Sequence, residues 1–119
     1  MERLRWGILG AAGIGDRDVI PALLASDTAE LLGIASRDEQ KSRRKAEQYG
    51  LPNTYGSYEA LLADPDIEAV YIPLPNHLHK QWTVAAARAG KHVLCEKPIA
   101  LNAGEAREMV DACREAGVH

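Results

Sequence analysis

Apolar residues along this chain fall into two alternating kinds of run: short continuous stretches, and longer ones in which they return with helical spacing. The first short run, LRWGILGA at residues 4–11, reads as a strand, and residues 14–26 follow as a helix with one apolar face. Pro21 should kink that helix, because it removes a backbone donor and crowds the preceding turn. AELLGIAS at 29–36 is the second strand. Asp38 suits the N-cap of a polar helix ending near Tyr49, where Gly50 and Pro52 act as stop signals. A brief third strand is expected around Thr54 and Tyr55, and Ser57 opens a short helix to Ala63. IEAVYIP at 67–73 is the fourth strand, and a helix capped by Asn76 runs on to about Ala89. HVLC at 92–95 is the last strand, and NAGE at 102–105 is a capping box that starts a final helix fading near Gly117. Five β-α units without a hairpin signal predict an α/β fold: a doubly wound parallel sheet of about five strands between two helical layers. No linker, repeat or low-complexity segment interrupts the pattern.

Composition narrows the picture. A chain of 119 residues with 46% hydrophobic content buries one core, so residues 1–119 are expected to form one domain. A formal net charge of -3 gives no general attraction for nucleic acid or for an anionic membrane. No apolar stretch approaches the ~20 residues that a bilayer crossing requires. Cys95 and Cys113 are far apart, form no Cys-x-x-Cys pair and have no ligand histidine nearby. With no leader-like start, reduced thiols in a soluble cytoplasmic protein are the expectation.

Three stretches carry candidate chemistry. In GILGAAGIG at 7–15, Gly10, Ala12 and Gly15 occupy the three glycine positions of the dinucleotide fingerprint, with Gly13 and Ile14 completing the turn. Gly10 permits the tight exit from the strand. The small side chain of Ala12 lets backbone donors approach a pyrophosphate, and Gly15 lets the helix pack close to the sheet. The helix start would then offer unpaired N–H groups and a positive dipole end to the anion.

The second stretch is the end of the second strand, where an acid commonly accepts from an unphosphorylated ribose. Here Ser36 and Arg37 stand instead. Arginine can fork onto a phosphate and cover adenine, serine can donate once, and Lys41 adds charge one turn into the helix. NADP is therefore preferred and NAD remains possible. Two alternatives stay open: Asp38 as a displaced ribose acid, or a basic run that is only a solvated helix face, which is the reading favoured for Arg43, Arg44 and Lys45.

The third stretch pairs YIPLPNHLH at 71–79 with CEKP at 95–98, both at carboxyl ends of strands, where ligands of such sheets sit. Leu74, Pro75, Asn76 and His79 belong to a loop that could wall the nicotinamide. His77 and His79 have a spacing possible for metal ligands, yet no third ligand is evident and no metal site is expected. Glu96, Lys97 and Pro98 follow a buried strand directly. An ammonium at Lys97 could bind a substrate hydroxyl and help its proton leave, with Glu96 balancing charge or holding the lysine. A plain surface lysine is the competing reading.

RWGILGAAGIG, ASRDEQK and LPNHLHKQWTVAAARAGKHVLCEKPIALNAGEA, at their spacing, resemble the amino-terminal half of the glucose-fructose oxidoreductase, inositol dehydrogenase and rhizopine catabolism (Gfo/Idh/MocA) family over nearly the whole chain. The resemblance implies a Rossmann-type domain of an NAD(P)-dependent oxidoreductase acting on a sugar, polyol or cyclic diol. It implies Lys97 as the catalytic lysine, acting with side chains of a second domain, and a cis peptide before Pro98. The opening and the Ser-Arg pair are most similar to members using NADP on aldoses or dihydrodiols. That family continues into a substrate domain, whereas this chain stops at GVH as if entering a sixth strand. The expectation is a piece that binds a dinucleotide with little or no turnover, and whose bare strand edge favours a homodimer. The other class left open is a nucleotide-binding or scaffold module with no reaction of its own. S-adenosylmethionine binding is disfavoured by the missing acid and by the Glu-Lys-Pro block.

Overall fold

In a computed structural model, which describes residues 2–11 and 18–119, five short strands form one parallel sheet. They are β1 (Leu4–Leu9), β2 (Ala29–Ala35), β3 (Asn53–Tyr55), β4 (Ala69–Ile72) and β5 (His92–Cys95), in the order β3-β2-β1-β4-β5. Every neighbouring pair is parallel, with Ile8 opposite Ile34 on one side and Tyr71 on the other. The described helices are α1 (Val19–Ala25), α2 (Glu39–Tyr49), α3 (Tyr58–Leu62), α4 (His79–Arg88) and α5 (Ala103–Ala116).

Strand alternation divides the core into two layers. Leu9, Val70 and Ile72 point to a cluster completed by Leu61 and Leu62 of α3 and by Trp82 and Ala86 of α4. Ile8, Ile34 and Tyr71 point the other way, against Ile20 of α1 and Ala46 of α2. Burying a side chain such as Ile8 or Val70 completely contributes about 1.5–3 kcal/mol. β4 is buried at all four positions, which accounts for a run of apolar residues without alternation.

Local chemistry sets several boundaries as expected. Asp38 accepts from Gln40 N–H at 3.0 Å, Ser57 from Ala60 N–H at 3.1 Å and Asn102 from Glu105 N–H at 2.9 Å, each satisfying a donor of a first turn. Glu105 reaches back to the N–H of Leu101 at 3.1 Å. α2 closes on Gly50 at φ 67°, a left-handed cap that glycine adopts without cost.

The kink expected at Pro21 turns on residues 14–17 of the expected helix, which lie outside the described residues. One expectation is corrected. Asn76 does not cap α4: it begins a 3-10 turn, Asn76–Leu78, without a side-chain bond at its start, and α4 follows from His79. The loop before it is pinned instead by Leu78 N–H donating to the carbonyl of Pro75 at 2.9 Å.

Lys91, ahead of β5, is buried and donates from Nζ to the carbonyls of Asp64 at 2.7 Å and Ile67 at 2.6 Å. It ties β5 to the turn before β4. Beyond the outer edge of β5, Val93 N–H donates to the carbonyl of His119 at 2.8 Å. Among the described residues no helix is long and apolar enough to cross a membrane.

Candidate cofactor site

β1 and β4 are neighbours although two strands separate them in sequence, so the chain leaves the sheet in opposite senses on either side of β1. That reversal opens a crevice beyond the carboxyl ends of β1 and β4. Gly10 lies at its floor. Its N–H donates to the carbonyl of Ala35 at 2.8 Å and its φ is 119°, a region essentially reserved for glycine. A Cβ there would stand 2.8 Å from Cδ2 of Leu74, so Gly10 also allows the loop after β4 to approach β1. Ala12, Gly13, Ile14 and Gly15 of the fingerprint lie outside the described residues.

At the end of β2, Ser36 is buried and its Oγ accepts from Asp38 N–H at 3.2 Å, which leaves the hydroxyl proton available to a ligand. Arg37 is exposed beside it. Burial pushes the Tyr58 hydroxyl above its ordinary value, and the charge of Arg37 opposes that push. The carboxylate of Asp38 is engaged as the cap of α2. Lys41 is exposed in the first turn of α2. Arg43 pairs with Glu39 at 3.1 Å on the solvated face, as expected for that run, and Arg44 is exposed there too.

The loop after β4 and the turn after β5 meet across the crevice. Leu74 is buried, while Pro75 and Asn76 are exposed. His79 is fully buried, with Nε2 2.6 Å from the carbonyl oxygen of Leu74 and Nδ1 2.9 Å from that of Pro98. It therefore sits beneath the wall and turns no ring nitrogen toward a ligand. His77 is exposed, so the two histidines do not converge. No cluster of three or more metal-ligating side chains occurs among the described residues.

Glu96 extends the β4 ladder by donating its N–H to Ile72 at 3.1 Å. Its Oε2 accepts from the hydroxyl of Tyr71 at 2.6 Å, and its Oε1 accepts from the backbone N–H of Lys97 at 3.0 Å. The Tyr71 hydroxyl first, and then the Lys97 N–H, hold the Glu96 carboxyl below the usual carboxylate range. Burial, followed by Glu96, pushes Tyr71 well above the ordinary tyrosine value. Glu96 thus holds the lysine through the main chain and not through the ammonium. Lys97 itself is exposed, and no hydrogen bond or ion pair engages Nζ among the described residues. The Lys97–Pro98 peptide is cis, as the resemblance implied.

Tyr71 is the site residue that reading the sequence missed. Its signal was a tyrosine in an otherwise aliphatic buried strand, since a buried phenol needs a partner and the neighbouring strand ends in a carboxylate.

A family model described as "Oxidoreductase family, NAD-binding Rossmann fold" matches residues 4–119. Among curated relatives, a D-xylose 1-dehydrogenase (NADP(+)) of Haloferax volcanii is 55% identical over 115 residues, covering 97% of this chain and 35% of that protein. A dTDP-3,4-didehydro-2,6-dideoxy-alpha-D-glucose 3-reductase of Streptomyces violaceoruber is 46% identical, covering 99% of this chain and 34% of that protein. Among solved structures, KijD10, a 3-ketoreductase from Actinomadura kijaniata in complex with NADP and TDP-benzene, superposes with a TM-score of 0.95 at 40% identity, over 98% of this chain and 36% of that one. The chain thus spans about a third of the length of these relatives. It belongs to the Gfo/Idh/MocA oxidoreductase family and corresponds to the NAD-binding Rossmann domain of its members.

Proposed function

We propose that this chain binds NADP(H) in preference to NAD(H), as the cofactor domain of an enzyme that moves hydride between the nicotinamide and a sugar, polyol or cyclic diol. The observation that carries the preference is the end of β2. The place where an acid would accept from a ribose is held by Ser36 and Arg37, and the acids that follow are engaged, Asp38 as a helix cap and Glu39 with Arg43. A 2'-phosphate fits those groups, because Arg37 offers a planar fork and Ser36 one hydroxyl donor. The glycine at residue 10 supports the same reading, since a side chain there would close the floor of the crevice.

The nicotinamide, when bound, supplies the hydride chemistry. The wall for its ring would be Leu74, Pro75 and Asn76 on one side and Glu96, Lys97 and Pro98 on the other. Lys97 would orient the substrate hydroxyl, its neutral amine taking the proton from that oxygen as hydride leaves and its ammonium returning the proton in the reverse direction. Exposure of Lys97 supports an ammonium that meets a substrate held by further protein, so the domain by itself should bind nucleotide with little turnover. Exposed Leu94, Ile99 and Val110 around the outer edge of β5 support a homodimer of the isolated chain, against which a monomeric mass by light scattering would count. The free thiols of Cys95 and Cys113 suit the reducing cytoplasm.

Calorimetry with NADP and NAD side by side tests the reading. NADP should bind about tenfold or more tighter. Equal affinities, or tighter NAD, would remove the role given to Ser36 and Arg37.

A further inference from the structure

His79 opens α4 and is 0% exposed, so no water completes its hydrogen bonding. Both of its ring nitrogens face backbone carbonyl oxygens, Leu74 in the loop after β4 at 2.6 Å and Pro98 in the turn after β5 at 2.9 Å. Both separations are hydrogen-bond lengths, and carbonyl oxygens only accept. An imidazole with one N–H can donate to one of them and must turn a lone pair on the other. A ring carrying hydrogen on both nitrogens donates to both. The Glu96 carboxylate accepts the N–H of Lys97, so the cis Lys97–Pro98 unit is gripped at one end by Glu96 and at the other by His79.

We propose that His79, donating through both ring nitrogens, is a positioning residue that locks the loop after β4 to the Lys97–Pro98 turn and so sets where Lys97 stands relative to Leu74, Pro75 and Asn76. This rests on reading that wall as the nicotinamide end of the site. His79 touches no reacting atom. It acts through two carbonyls, and among the described residues no other side-chain hydrogen bond joins the two loops.

Two measurements on the full chain test it. Long-range proton–nitrogen NMR of the imidazoles at neutral pH should show both His79 nitrogens bearing hydrogen, and a single protonated nitrogen overturns the double tie. Binding is then measured for NADPH and for adenosine 2',5'-bisphosphate, which carries only the adenosine end. His79→Leu should weaken NADPH about tenfold and leave the bisphosphate within about twofold, with His79→Gln, whose amide can still donate, falling between. Equal loss of both ligands, or no loss of either, overturns the positioning role. If His79→Leu does not fold, the His79→Gln ratio decides. Failure of the wild-type chain to bind either ligand would instead sink the cofactor reading, while the NMR result still decides the tie.

Discussion

The hydroxyl of Tyr71, on buried strand β4, donates to Oε2 of Glu96 at 2.6 Å across 25 residues of sequence. It fixes the carboxylate that in turn accepts the N–H of Lys97. The lysine is therefore rooted by a chain of two hydrogen bonds that begins in the core, while its ammonium stays exposed.

Tyr71→Phe should destabilise the fold by about 1.5 kcal/mol, the low end of the range for a bond to a charged group, because Glu96 is only half buried. Glu96 is depressed in the folded state, so its contribution is present above its ordinary value and is lost as pH falls through the folded value. Tyr71 is raised, so its contribution is lost only as pH climbs past about 10. Urea midpoints of wild type and variant should differ across neutral pH and converge in acid. A constant difference down to the acid limit would detach the effect from Glu96.

Lys91→Met should cost about 2 kcal/mol, because the carbonyls of Asp64 and Ile67 lose a buried donor. Burial lowers the Lys91 value, so the folded state releases that proton first and wild-type stability should rise slightly with pH just below the ordinary lysine range. Thermal unfolding at several pH values should show this slope in the wild type and not in the variant.

Gly10→Ala combines a φ of 119° with a Cβ 2.8 Å from Leu74, and should destabilise by about 2 kcal/mol. It should also push Leu74 outward and weaken NADPH binding. Gly10→Ala with unchanged stability in denaturant would mean that the turn relaxes freely.

Arg37→Ala should weaken NADPH by about tenfold and leave NADH within about twofold, as read by calorimetry. A parallel loss for both cofactors would make Arg37 a contact to adenine or a structural residue.

Much of the architecture was legible because its signals are local. Asp38, Ser57 and Asn102 cap helices through bonds to residues two or three positions on, and the β-α rhythm dictates a parallel sheet. Asn76 carried the same signal and misled, because Pro75 starts a 3-10 turn there and α4 begins three residues later. Tyr71, Lys91 and His79 were legible as residue types but not as partners, since their bonds depend on which strands become neighbours. Glu96 was legible as a neighbour of Lys97, but its bond goes to the lysine's main-chain N–H, a distinction that side-chain chemistry alone does not contain.

The strand order has a consequence for synthesis. β1 is made first, yet its second neighbour, β4, lies about half the chain away, and Arg5 N–H meets Glu68 only across 63 residues. While the polypeptide emerges from the ribosome, one flank of the most central strand stays unpaired until residues near Ala69 are out. The nascent chain should therefore be stickiest, and most in need of a chaperone, in the interval after β3 has docked and before β4 arrives.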